Sequence, residues 1–169
     1  MKPRGRCGRV PDVNLRELLL NPTEYLPPEK SLDGLSVSDA ERRISGAPHS
    51  VAEIIAHLAF WQEWFYKRCM DEPAVMVGSA AAGWPAVEAD SWDVLRRRFV
   101  EGLHRLAALA DGDVSRRLSP PIEFPPLAEY TIGDALTHVA THNAHHLGQV
   151  ILLRQLMGAW PPPAGSWTW

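Results

Sequence analysis

TIGDALTHVATHNAHHLGQVILLRQLMG, residues 131–158, reads as one long helix and decides the fold. Thr131 and Asp134 stand three apart, the spacing of a cap pair, and Gly158 closes the segment. Inside it, His138, His142 and His146 recur every fourth residue. Such positions lie about 40° apart in rotation and ~6 Å apart along a helix axis, so the three form one stripe. His145 is displaced about 60° from His142, toward one flank. Ala135, Val139, Val150, Leu153 and Leu156 share the side of the stripe, which places the imidazoles on a face that looks into a helical core. Imidazoles in a core need partners for both nitrogens, and three stacked there cannot all be charged. A divalent cation resolves the conflict, because it takes neutral imidazole and HxxxH sets two nitrogens around one ion. Both His142/His146 and His138/His142 have that spacing.

The rest of the chain is cut into helical pieces by proline and glycine. Residues 12–20 read as a short helix capped by Asp12, and residues 28–44 as two short turns interrupted at Gly34. Ser50 opens a strong helix that Pro73 ends, with Glu53 at the spacing of a capping box. Residues 74–89 are rich in Ala and Gly and read as loop. Residues 90–110 form a third long helix with Asp90 or Ser91 as cap and Gly112 beyond its end, and PPIEFPP is a rigid connector. Nothing alternates with period two, and no repeat is visible. Three long amphipathic helices with short helical pieces before them predict an all-α bundle.

A further ligand must come from another helix. His57, in EIIAHLAFW, lies mid-helix on an apolar face with Ile54, Phe60, Trp61 and Trp64. Glu53 sits one turn earlier, where its carboxylate would accept an imidazole N–H. Trp61, Trp64 and Phe60 would line an apolar mouth beside it. His49 follows Pro48 in a loop, and His104 sits among Arg and Leu, so both fit a cluster less well.

Composition excludes several classes of function. The chain has 169 residues, a formal net charge of −3 and 46% apolar residues, which suits a single helical domain over 10–169. A weakly acidic chain is not built to coat nucleic acid or an anionic membrane. The basic cluster MKPRGRCGR, residues 1–9, has no apolar periodicity and reads as a flexible arm. Cys7 and Cys69 make no disulfide framework and no CxxC, and Cys69 lies in an apolar helical pattern. No signal-peptide core is visible, nor an apolar run approaching the ~18 residues of a membrane span, so the expected compartment is the cytoplasm.

HxxxHxxHHxGQ followed by LLRxLMG resembles the DinB-like (DNA-damage-inducible) family of metal-dependent enzymes. LDGLSVSDAERR, PHSVAEIIAHLAFWQEW, GW, SWDVL and the closing WPPP look like that family in the same order, so the likeness spans roughly residues 10–165. The resemblance implies a four-helix bundle with up-down-down-up topology and a three-histidine metal site in its core. By position, the ligands it implies are His57, His142 and His146. His138 and His145 then become surrounding or pocket-lining groups, and Gln149, one turn on, would hydrogen-bond a ligand or substrate. The family often has HRGQ after the last ligand; here Leu147 stands in HLGQ, which puts in doubt any contact that the arginine makes.

Three histidines leave at least one coordination position open, as catalytic sites do. Zinc and nickel are the ions expected. The likeness implies a small-molecule substrate and thiol-dependent S-transfer, with low-molecular-weight thiols such as bacillithiol or mycothiol, or else hydrolysis. The alternative is a non-catalytic stress-response or binding protein with a structural or vestigial metal. Ala140, Ala144, Leu147 and Ile151 form a second apolar face opposite the histidines, which must also be covered, either by another protomer in a homodimer or by the N-terminal segment and the Trp-rich tail.

Overall fold

The computed structural model describes residues 13–87 and 91–166. The arm expected over 1–9, Cys7, Asp12 and Asp90 lie outside the described residues. Five α-helices follow in order: α1 Leu15–Leu20, α2 Val37–Glu41, α3 Val51–Cys69, α4 Trp92–Leu109 and α5 Ile132–Met157. Single 3-10 turns stand at Lys30–Leu32, Ala80–Gly83 and Pro125–Leu127. Among the described residues the only β pairing is one isolated bridge, Arg117 with Thr131, and no helix is long and apolar enough to cross a membrane.

Local chemistry sets the helix ends. Both expected capping boxes form: Ser50 with Glu53 on α3, and Thr131 with Asp134 on α5. Ser91 caps α4 through the Val94 N–H. Asn14, not Asp12, caps α1, because its side-chain oxygen accepts the Glu17 N–H at 3.1 Å. α3 stops at Cys69, ahead of Pro73, where Asp71 turns left-handed at φ 58°. Gly158 ends α5 at φ 73°.

Cross-helix contacts give the helix directions. Arg105 of α4 meets Glu63 at 2.8 Å and lies 3.8 Å from the Tyr66 ring centroid, while Gly102 abuts Gln62, so α3 and α4 are parallel. His57 faces His142 and Phe65 faces His138, so α3 and α5 are antiparallel. Arg16 pairs with Asp111, whereas Leu20 lies beside Leu103, so α1 and α4 are antiparallel. The bundle of α1, α3, α4 and α5 is therefore up-down-down-up. Two consecutive parallel helices such as α3 and α4 demand a long crossover between them.

Leu58, Phe65, Phe99, Leu106, Leu136 and Leu147 fill the centre, each at 2% exposure or less. Their burial is the main favourable term, at about 25 cal/mol per Å² of apolar surface. Leu147 is core. Cys69 is fully buried and its thiol is pushed up to about 11, chiefly by burial, as suits a packing residue. Two expectations change. Leu156 is 63% exposed, because it faces an open cleft beyond His146 instead of the core. Ala140 and Leu147 are 3% and 0% exposed within one protomer, so the second face of α5 leaves only Ala144 and Ile151 partly uncovered.

Arg154 ties the turn at Lys30–Leu32 to the chain just after α5. Its guanidinium is buried and donates to the carbonyls of Ser31 at 2.5 Å, Asp33 at 2.8 Å and Ala159 at 3.0 Å. Gly34 beside it adopts φ 70° under Pro163, leaving no room for a Cβ.

Candidate metal centre

α3 and α5 bring His57, His142 and His146 together, with one nitrogen from each lying within 4.8 Å of the others. His57 Nε2 is 3.2 Å from His142 Nε2. Two imidazoles on one tetrahedral ion, at ~2.0–2.1 Å each, would stand ~3.3–3.4 Å apart, so this separation fits a shared cation. The rings of His142 and His146 are 4.7 Å apart at 87°, and those of His57 and His146 4.8 Å apart at 72°. Crossed rings let the lone pairs converge instead of stacking face to face.

Hydrogen bonds on the far nitrogens support that reading. His57 Nδ1 donates to the Gly83 carbonyl at 2.7 Å, which leaves Nε2 as a lone pair toward the cluster. His146 Nδ1 donates to Gln149 Oε1 at 2.8 Å and likewise frees its Nε2. Gln149 Nε2 reaches His145 at 3.4 Å. The donor set therefore fits a divalent ion: neutral imidazoles, two of them oriented by a fixed acceptor.

Glu53 does not touch His57. Its carboxylate accepts the Ser50 N–H at 2.7 Å and pairs with Arg43, because the first turn of α3 offers an unpaired N–H closer than the imidazole. The Gly83 carbonyl takes the role that the sequence suggested for Glu53. A Cβ at position 83 would sit 3.0 Å from Trp61 Nε1, so only glycine brings this carbonyl in without displacing the indole. Gly83→Ala is expected to weaken metal binding about 10- to 100-fold, the usual cost of losing an outer hydrogen bond to a ligand histidine. Competition with a chelating dye measures it.

Trp84 lies flat on His57 at 3.9 Å and 12°. His49 lies on its other face at 3.7 Å and 10°, giving a three-ring stack. Arg43 holds the His49 loop through the Pro48 carbonyl at 2.7 Å. Sequence reading placed His49 outside the cluster, and it does not join the nitrogens there. It missed the roles of Gly83, Trp84 and Tyr130. The one signal for the first two was a Gly-Trp pair in an otherwise Ala-rich loop.

Trp61 stands edge-on to His57 at 6.4 Å and 79°. With Phe65, Met76, Phe124 and Leu127 it lines a cleft of about 370 Å³ that reaches His138 and His142. His138 Nδ1 pairs with the Tyr130 hydroxyl at 3.1 Å. Backbone bonds from Leu118 N–H to the Tyr130 carbonyl and from Ile132 N–H to the Arg116 carbonyl hold that tyrosine at the start of α5. Trp64 does not face this cleft. Its indole N–H bonds the Val75 carbonyl, and with Phe60 it lines a larger groove of about 610 Å³ between α3 and α4 that touches no histidine of the cluster. His104 is exposed on α4.

Burial lowers the pKa of His57, His138, His142 and His146, and His142 falls to about 3 with the neighbouring imidazoles adding to the effect. All four are neutral at pH 7, the form that a metal takes. In the unfolded chain they protonate near 6.5, whereas the folded chain resists. Below that pH the unfolded state binds more protons, so stability is lost as pH falls from about 6.5. The metal-free protein is expected to show a falling melting temperature between about pH 6.5 and 5, above the range of ordinary carboxylates. His142→Asn should flatten that slope, as read by circular-dichroism melts in chelator.

No curated protein matches the chain. A family model does match, over residues 29–150, from the turn before α2 well into α5, and all three clustered histidines lie inside it. That span is most of the chain, so the chain, an all-helical bundle, belongs to the DinB superfamily.

Proposed function

We propose that His57, His142 and His146 hold a divalent ion, zinc or nickel, with a coordination position left open, and that the protein is a metal-dependent enzyme acting on a small molecule by thiol-dependent S-transfer or by hydrolysis. The observation that carries this reading is the convergence of three neutral imidazoles from two helices at the end of an apolar cleft. Bound there, the ion would lower the pKa of a water or thiol and supply a nucleophile near neutral pH.

The chain's own groups have defined parts. Gly83 and Gln149 orient two ligands. Trp61, Phe65 and Leu127 exclude water from the His142 side. His138 lines the same cleft, and its ring, fixed through Nδ1 by Tyr130, is placed to hold or pass a proton at Nε2. A homodimer through the uncovered part of α5 belongs to the same proposal; sedimentation at micromolar concentration tests it.

The other reading is a binding or stress-response protein with a structural metal. The core argues against it, since Ile54 and Leu58 of α3 and Val139 and Val150 of α5 belong to one buried apolar cluster whose burial is itself a large favourable contribution. Metal analysis of the purified protein, cobalt(II) substitution and chelation decide between them. The expected result is a cobalt spectrum that changes when 2-mercaptoethanol is added, with folding intact after chelation. No metal uptake sinks the proposal, and unfolding on chelation favours the structural role.

A further inference from the structure

Two clefts open on the histidine cluster, from different sides. The first, already described, ends at His142. The second has about 590 Å³ and ends at His146 and Gln149. Its floor is Ile54, Leu152, Leu153 and Leu156, and its wall is the His49–Trp84 stack. No residue lines both. Trp61 belongs to one and Trp84 to the other, and Gly83 packs tightly against Trp61 between them. These three residues form a partition that stands on His57, through the Gly83 carbonyl bond and the Trp84 stack.

Neither cleft is lined by Asp, Glu, Lys or Arg. A ligand carrying several charges would find no counter-charge in either, and burying those charges unpaired is costly. The first cleft suits an uncharged aromatic or aliphatic molecule. The second has an apolar floor, His146 and Gln149 at the cluster end, and Ser45 and His49 as its other polar side chains, so it suits a largely apolar body with a single metal-binding head.

We propose that the centre takes two small molecules at once, an uncharged apolar one at His142 and an amphipathic one whose head points to the cluster at His146, held apart by Trp61, Gly83 and Trp84. This rests on the metal reading above and sharpens it. Hydrolysis needs one organic reactant and water, whereas two organic clefts meeting at one centre match transfer between two reactants, which gains from holding both in place.

The test uses the full chain loaded with cobalt(II). Phenylmethanethiol, followed by thiolate-to-cobalt absorption, probes the His146 cleft. Nitrobenzene, which carries no thiol or carboxylate, is followed by saturable tryptophan quenching and probes the His142 cleft. Each is expected to bind with nearly unchanged affinity when the other is saturating. Leu156→Glu should weaken phenylmethanethiol about tenfold or more and spare nitrobenzene, and Phe124→Glu should do the reverse, because each puts a charge in one apolar cleft only. Both side chains are well exposed, at 63% and 46%, so the variants should fold. Mutual competition, failure of either probe to saturate, or one variant weakening both probes overturns the two-ligand inference while leaving the metal reading in place. Failure to take up cobalt at all overturns the metal reading itself, and this inference with it.

Discussion

His142→Ala is expected to lower zinc affinity about 100- to 1,000-fold while leaving the metal-free protein folded. Structural four-ligand zinc sites gain roughly 10–16 kcal/mol, or about 2.5–4 kcal/mol per ligand. Losing one of three imidazoles should cost about that much, and each ~1.4 kcal/mol is tenfold. The remaining pair, His57 and His146, cannot close around an ion as three do. Folding should survive because the α3–α5 interface is apolar on both sides of the cluster, and His142 itself is only part-buried. Because burial and its neighbours lower its pKa, the neutral imidazole is a cost to folding below about pH 6.5, and alanine forfeits little there beyond the 3.2 Å contact with His57. His57→Ala should match the loss in affinity. His138→Ala should not: its ring lies one turn away, its centroid 6.3 Å from that of His142, and its Nδ1 bonds Tyr130. Equal losses for all three variants would mean that His138 is a ligand and that the cluster is wrongly drawn. Competition titration against a zinc-binding dye, with circular dichroism on the same samples, reads both quantities.

The legible parts of this protein are those that short-range periodicity controls. Four-residue spacing put His138, His142 and His146 on one face, and a cap pair at each start marked α3 and α5 to the residue. Spacing alone left two HxxxH pairs open; the tertiary contact of His57 with His142 and His146 separates them. What was illegible depends on segments far apart in sequence. The Gly83 carbonyl reaches His57 from 26 residues away, through a loop with no periodicity to read. Glu53 had two readings, cap partner and imidazole acceptor, and the cap forms because the backbone N–H is the nearer partner. Leu156 was misplaced for a related reason. Leu156 stands five full turns after His138 and so shares its side of the helix, but what lies opposite that last turn is an open cleft, which spacing within one helix does not reveal. Trp64 shows the same limit, since which groove it lines is decided by how α4 packs against α3, and periodicity within α3 does not carry that.

Arg154→Ala is expected to destabilise the protein by about 3–5 kcal/mol, a large share of the roughly 5–15 kcal/mol by which domains of this size are stable. The side chain is 1% exposed and spends its donors on three carbonyls, those of Ser31, Asp33 and Ala159. Alanine would leave these acceptors without their donor in a site closed to water, at about 1 kcal/mol or more each, and would add the lost packing of a long side chain. Two segments would be released together, the turn at Lys30–Leu32 and the chain after Gly158, since Pro163 rests on Gly34 one residue beyond the Asp33 carbonyl. Lysine should recover only part of the loss, because one ammonium cannot span three carbonyls held in a planar fork. Urea titration should show a lower midpoint with little change in slope. Zinc affinity, measured on the folded fraction, should move little, because Arg154 lies two turns beyond His146 and touches none of the clustered imidazoles. If affinity fell in step with stability, the end of α5 and the histidine cluster would be one mechanical unit, and the separation between what holds this bundle together and what equips it to bind metal would not exist.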